Sequence, residues 1–477
     1  MSTIYTIYDI MKTIKSKYNY KGDKITMTDI ENGGVIFPEK PPTPSPKPVF
    51  RRGVRPEEQD KYSLWGSHDP AIFRDPATGY YYTYCTGAIA RRSADLLTWE
   101  IIGKVVDAPP KESSEWVGGN SIWAPDIIKV GNEYRLYCSN SSWGVQQSCI
   151  FLAVADNAEG PFIPRGCVLK TSNKLPVNAI DANLVVDEET GCQYMVYGSF
   201  WGGCHILKLD SETGLAAEEG IGKCVARRPR WTDCSIEGPY IRYNPDTGYY
   251  YLFVSYGSLS SDYNIRVGRS KSVTGPYYDP NGRDMTDLDD NKNEVGFMIA
   301  AGYHFDDGQG YMAPGHNSVL RDFDGQWYLV CHIREHDFKR PQISTMHIYK
   351  MFWTPDGWPV ISPECYAGEK TQPVGRDLLV GHYERIKLTP MIPQGVLNSV
   401  PMTLTADGRF ECCSVRGRWE YVDGETITIS YANVTETLKV SPAWDWQLDC
   451  PTIIITGKDQ FGVAVWGKKI KRPERER

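Results

Sequence analysis

The chain has no uninterrupted apolar run of the roughly 18 residues that a membrane-spanning helix needs. Its first stretch, Met1 to Lys17, carries Asp9 and lacks the continuous apolar core of a secretory signal. The 13 cysteines form no C-x2-C or C-x4-C pair, so no zinc framework is legible. Their odd number argues against a disulfide scaffold and, with the missing signal, predicts a cytoplasmic protein. There is no G-x-S-x-G elbow, P-loop or dinucleotide fingerprint. A net charge of -7 and a pI near 5.7 argue against nucleic acid as a partner. The acidic run Asp287 to Asn291 has Lys292 where a calcium loop needs glycine and Met298 where it needs glutamate, so it reads as solvated surface.

Helical periodicity is equally scarce. Ile4, Ile7, Ile10, Met11 and Ile14 could share one face of a short helix. Elsewhere the 44 glycines and 32 prolines punctuate short strand-like runs rich in tyrosine and tryptophan, which predicts an all-β protein. One unit recurs: a polar residue, a short apolar run, a Gly/Asp/Asn turn, then an aromatic strand. Its leaders are Asp69, Asp126, Asp181, Glu237 and His316, with steps of 57, 55, 56 and 79 residues. Such a period marks an array, and each unit holds enough strand-like sequence for about four strands, the content of a propeller blade. Five units predict a five-bladed β-propeller whose last interval carries an insertion from Asp279 to about Gly310. In a propeller the first strand of each blade lines the central channel, so the five leaders converge. A single acid at such a point reads as a turn cap. Four carboxylates and a histidine at one point of five repeats read as a site.

The expected organisation is an N-terminal extension over residues 1–61 that includes a proline-rich linker over 38–48, then a propeller over 62–368. A smaller β-barrel or β-sandwich follows over residues 375–470. There Trp444 and Trp446 are open to two readings, core packing or sugar stacking.

Six motifs in order, at blade spacing, carry a resemblance. They are Ser67-His68-Asp69-Pro70, Trp123-Ala124-Pro125-Asp126, Ala179-Ile180-Asp181-Ala182-Asn183, Tyr197-Gly198-Ser199-Phe200-Trp201, Ile236-Glu237-Gly238-Pro239-Tyr240 and Gly315-His316-Asn317-Ser318. Together they resemble glycoside hydrolase family 43, and within it the endo-1,5-α-L-arabinanases that carry a C-terminal β domain. The resemblance implies an inverting hydrolase of arabinan, with exo-arabinanase, α-L-arabinofuranosidase, β-xylosidase or a non-catalytic sugar-binding propeller as alternatives on the same scaffold. It implies Asp69 as general base, Glu237 as general acid and Asp181 as the carboxylate that tunes the acid, with Asp126 the rival for that last role. These roles have physical sense. A base must be ionised to deprotonate water, and an acid must keep its proton near neutrality, which a neighbouring carboxylate promotes. The same resemblance implies that His316 binds a central Ca2+, largely through water; a neutral, hydrogen-bonded histidine is the alternative. Trp123, Asn183, Trp143, Ser199, Phe200, Trp201 and Arg334 are the candidate substrate-binding residues, with His332 beside Arg334. The implied partner is arabinan or its oligosaccharides, with no nucleic acid and no membrane.

Overall fold

In the computed structural model, Asp69 stands at the mouth of the first of five antiparallel sheets arranged as propeller blades. The structure describes residues 34–41, 64, 66–289, 294–306, 308, 310–336, 343–391, 393 and 395–470. The expected helix over residues 4–14 and linker residues 42–48 lie outside these.

Blade one comprises strands Ala71–Arg74, Tyr81–Cys85, Ile89–Ser93 and Glu100–Lys104. Blade two comprises Trp123–Val130, Glu133–Asn140, Ser148–Ala155 and Ile163–Thr171. Blade three comprises Asn183–Val186, Gln193–Tyr197, Cys204–Leu209 and Lys223–Ala226, and blade four Ile236–Asn244, Tyr249–Tyr256, Asn264–Ser270 and Phe297–Ala300. Blade five differs from the expected four strands. To Tyr311–Arg321, Trp327–Glu335, Thr345–Trp353 and Pro359–Cys365 it adds two-residue strands Tyr303–His304 and Leu397–Asn398, making six. The second of these comes from beyond the propeller and pairs in parallel, so the following domain is stitched into the last blade.

Second strands such as Tyr81–Cys85 and Tyr249–Tyr256 are buried almost throughout. Each blade is sandwiched between two others, so both faces of its middle strands are covered, and apolar runs replace alternation. This accounts for the aromatic content: Tyr82, Tyr84, Tyr137 and Tyr251 fill the wedges between sheets. Every strand of blade one comes from a single consecutive segment, so side chains close the ring. Ile72, Tyr81 and Trp99 of the first blade pack on Leu320, Tyr328 and Val330 of the last. Arg74 pairs with Asp322 there, and Tyr81 donates to the same carboxylate at 2.5 Å.

Each inner strand contains or closely follows a left-handed kink. Asp69 (φ 52°), Ala124 (29°), Asp181 (63°), Gly238 (56°) and His316 (45°) occupy it. The kinked backbone N–H is held by the preceding blade in turn: Ala124 donates to Thr86 Oγ1 at 2.9 Å, Asp181 to Ser139 Oγ at 2.9 Å, His316 to Ser255 Oγ at 2.8 Å and Asp69 to His332 Nδ1 at 3.2 Å. Left-handed φ costs a non-glycine residue about 1–2 kcal/mol and persists only where neighbours hold it. Four non-glycine residues at one kink mark a place where side-chain direction matters more than backbone comfort. Glycine in blade four has a separate cause, because a Cβ on Gly238 would lie 3.2 Å from His316.

These kinks correct the register of the repeat. Asp126 sits two residues beyond the kink, at the level of Asn183, Tyr240 and Ser318. There inner strands are tied to one another. Asp126 Oδ2 accepts from Leu184 N at 2.8 Å and Asn183 Nδ2 at 3.0 Å, while Asn183 Oδ1 accepts from Ile241 N at 2.8 Å. Ser318 Oγ accepts from Ile72 N at 3.0 Å. Asp126 therefore pins blade two to blade three instead of tuning the acid.

The C-terminal strands Gly381–Leu388, Val400–Leu404, Arg409–Cys412, Val415–Asp423, Thr426–Tyr431, Val434–Asp445, Cys450–Asp459 and Ala464–Ile470 form a closed barrel. Closure follows from Gly381–Leu388 pairing with both Val400–Leu404 and Ala464–Ile470. Leu404, Phe410, Trp419 and Ile427 fill its interior. Trp444 is buried, and Trp446 donates its indole N–H to Cys365 O at 2.8 Å, so both pack instead of standing free for a sugar. The fully buried Lys468 Nζ lies 3.0 Å from Glu364 of blade five and 3.1 Å from Asp445 of the barrel, joining the two domains by a buried charge triad.

Candidate active site

A cavity of about 650 Å3 opens at the kinked ends of the inner strands, and Asp69, Asp181, Glu237 and His316 all line it. Three carboxylates from blades one, three and four thus meet around a histidine from blade five. His316 Nδ1 lies 3.2 Å from Asp69 Oδ1 and 3.9 Å from Asp181 Oδ2.

The environments of these carboxylates diverge. Burial pushes the pKa of Asp69 up, but His68, His316 and His332 outweigh it and hold the carboxyl well below the usual range. Thr86 Oγ1 donates to its Oδ2 at 2.6 Å. His332 takes the Asp69 N–H on Nδ1, and burial depresses its own pKa to about 3, so it is a neutral hydrogen-bond acceptor. Its ring stacks on His68 with centroids 4.3 Å apart.

Glu237 lies on the other side of that balance. Burial raises its pKa and the Asp69 charge adds to this, against the hydroxyls of Ser199 and Tyr263 and the His316 ring. Ser199 Oγ donates to Oε2 and Tyr263 Oη to Oε1, each at 2.9 Å, which aims the carboxyl into the cavity. Asp181 is raised well above the usual range by burial and by the charges of Glu237 and Asp69, with only the Gly238 N–H, at 3.1 Å, opposing. Glu237 and Asp181 therefore compete for a proton, and neither ionises easily while the other is charged. Asp126 is also raised, to about 7, by burial. It lies outside this cavity, so that shift belongs to a structural carboxyl.

Trp123, Trp143, Ser199, Phe200 and Trp201 line the cavity. Asn183 and Arg334 do not. Asn183 is 3% exposed and spent on the blade-to-blade ties described above. Arg334 is 4% exposed and follows His332 by two residues on the same face of its strand, where burial pushes its pKa down against the opposing effect of Tyr263 and Asp69. Both are corrected from substrate-binding to interior positions. The sequence reading missed Tyr263 and Trp231, a second-row hydroxyl and an exposed indole on the cavity rim. Tyr263 opens the third strand of the glutamate's own blade, and the motif resemblance did not extend to that strand.

Comparisons with known proteins agree with this geometry. A family model described as "Glycosyl hydrolases family 43" matches residues 65–359, and one described as "C-terminal lipocalin-like domain" matches 363–467. An extracellular endo-alpha-(1->5)-L-arabinanase of Thermotoga petrophila is 33% identical over 462 residues, covering 87% of this chain and 96% of that protein. Extracellular endo-alpha-(1->5)-L-arabinanase 2 of Bacillus subtilis is 32% identical, covering 84% and 92%. The crystal structure of the Thermotoga petrophila endo-1,5-alpha-L-arabinanase superposes with a TM-score of 0.79 at 30% identity, covering 89% of this chain and all of that one.

Both named relatives are extracellular, which overturns the expectation of a cytoplasmic protein. The cysteine argument failed for a physical reason. Cys138, Cys149, Cys204 and Cys331 are fully buried core residues. Burial pushes the thiols of Cys138, Cys204 and Cys331 up, away from the reactive thiolate. Their number reports packing, not redox compartment.

Proposed function

The chain belongs to glycosyl hydrolase family 43, and on that premise we propose that it is a secreted, inverting endo-arabinanase acting on α-1,5-linked L-arabinan. The observation that carries the assignment of roles is the divergence of two cavity carboxyls, Asp69 held well down and Glu237 held up. Pairs pushed apart in this way divide into base and acid. Asp69 is the base that takes a proton from water. Glu237 is the acid that gives one to the departing sugar oxygen. Asp181 competes with Glu237 for a proton, and when Asp181 is the one that carries the charge it keeps the proton on Glu237. Trp123, Trp143, Phe200 and Trp201 provide the apolar faces for furanose rings, and the Ser199 hydroxyl fixes the acid.

The endo reading predicts that debranched linear arabinan loses viscosity faster than it gains reducing ends, with oligomers appearing before arabinose. Arabinose as the sole early product would favour the exo-acting alternative.

A central cation belongs to the same proposal. Asp69 engages Nδ1 of His316, leaving Nε2 for an ion. Next to it in the narrow channel below the cavity, Asn317 has both amide atoms buried and without a hydrogen-bond partner. One nitrogen and one amide oxygen suit an ion that draws its other ligands from water, as Ca2+ can. His316 and Asn317 would hold it, and when bound it supplies positive charge to the floor of the cavity. Chelation is then expected to lower activity and added calcium to restore it, with His316→Ala abolishing the response. Unchanged activity after exhaustive chelation, with no metal by elemental analysis, would leave His316 as a hydrogen-bonded neighbour of Asp69.

A further inference from the structure

Three tryptophans stand on the cavity rim with much of their surface in solvent: Trp143 at 79%, Trp231 at 57% and Trp201 at 40% exposed. Exposed indoles gathered around one groove mark a ligand surface, since leaving such area in water is unfavourable. Trp143 and Trp201 follow strands of the repeat. Trp231 does not. It lies between the last strand of blade three and the first of blade four, on a single 3-10 turn over Arg230–Thr232.

That turn is braced on every side. Asp233 N donates to Arg230 O at 3.0 Å, Thr232 Oγ1 to Pro229 O at 2.8 Å and Ser235 Oγ to Thr232 O at 2.7 Å. Asp233 and Cys234 close it with φ of 54° and 51°, two consecutive left-handed residues that neighbours must hold in place. The holding group is Arg228. Its Nη1 donates to Ser235 O at 2.8 Å and to Ser235 Oγ at 2.6 Å. Its Nε and Nη2 grip Glu294 at 3.0 and 2.8 Å, with the two side chains 4% and 6% exposed. The guanidinium also lies over Tyr256, 4.5 Å from the ring centroid. Glu294 comes from the insertion that lengthens the last interval of the repeat. A buried bidentate ion pair between an insertion and an inter-blade connection is expensive to assemble, and loss of either partner strands the other charge. Its evident product is a rigid turn with an exposed indole at its tip.

We propose that Trp231 is a specificity-determining residue, a stacking platform for an arabinofuranosyl ring remote from the scissile bond, and that Arg228 and Glu294 are its positioning residues. The proposal rests on the arabinanase reading and deepens it. A flat indole offers its face to any furanose unit without hydrogen-bond readout. Trp231 therefore serves chain length, favouring substrates long enough to reach from Glu237 to the braced turn. Short oligosaccharides that fill only the cavity centre gain nothing from it.

The test compares kcat and KM on arabinotriose and arabinohexaose for the wild type, Trp231→Ala, Trp231→Phe and Glu294→Gln. Trp231→Ala is expected to raise KM for the hexaose about tenfold, equivalent to about 1.4 kcal/mol, with kcat and the triose parameters unchanged. Trp231→Phe should restore most of the hexaose affinity. Glu294→Gln should reproduce part of the loss on the hexaose alone, because the platform loosens while the catalytic groups stay in place. A wild-type hexaose KM in Trp231→Ala would overturn the proposal, as would equal losses on both substrates. Wild-type protein inert on every arabinan substrate would overturn the arabinanase reading and this proposal together.

Discussion

Glu237→Ala is expected to lose about 10²–10⁴-fold on linear arabinan, the usual worth of general acid catalysis, and far less on a nitrophenyl arabinofuranoside. The reason is the leaving group. A sugar oxygen departing from arabinan must be protonated, whereas nitrophenolate is stable as an anion and leaves without help. Steady-state kinetics on both substrates read this contrast directly, and equal losses would remove Glu237 from the acid role. The same carboxyl sets the alkaline limb of the pH profile, since activity fails when Glu237 loses its proton. Its pKa is raised, so that limb lies above the ordinary carboxylate range. In Asp181→Asn a competing negative charge disappears, the Glu237 pKa falls, and the alkaline limb should move to lower pH.

Asp69→Ala carries the second large effect and differs in kind. Water must be activated whichever group leaves, so arabinan and the aryl glycoside should both suffer, again by about 10²–10⁴-fold. The acidic limb reports the same residue. The imidazoles of His68 and His316 are the main groups that keep Asp69 ionised well below the usual carboxylate range, so activity should persist into acid further than an isolated aspartate would allow. Aryl glycoside turnover retained in Asp69→Ala would transfer the base role to another group.

The repeat was legible because one polar residue preceded each aromatic hairpin, and the fold follows from that spacing alone. Its register was less legible. Aligning the acids placed Asp126 with Asp69 and Asp181, but the backbone kinks align Ala124 with them. The prolines held that information: Pro70, Pro125 and Pro239 each follow the kinked residue. Read that way, Asp126 falls on the tier of Asn183 and Ser318 that ties inner strands together. Asn183 and Arg334 were misjudged for a related reason. Motif position does not reveal how deeply a side chain is buried, and both lie in the interior, outside the cavity lining. Trp231 had no repeat to announce it, since inter-blade connections follow no common grammar and Glu294 sits far along the chain. The odd cysteine count misled because buried thiols are core residues first.

The central claim is that Asp69 and Glu237 act on opposite faces of one arabinofuranosyl ring, with a water between base and sugar. In an inverting hydrolase the carboxyls stand about 6.5–9.5 Å apart to admit that water, and each cleavage reverses the anomeric configuration. The most direct measurement is proton NMR of the first product formed from linear arabinan, before mutarotation. The α-linked substrate should yield the β-anomer first, decaying toward the equilibrium mixture. An α-anomer formed first would mean a covalent glycosyl intermediate and retention, and would contradict the assignment of Asp69 as a base acting through water.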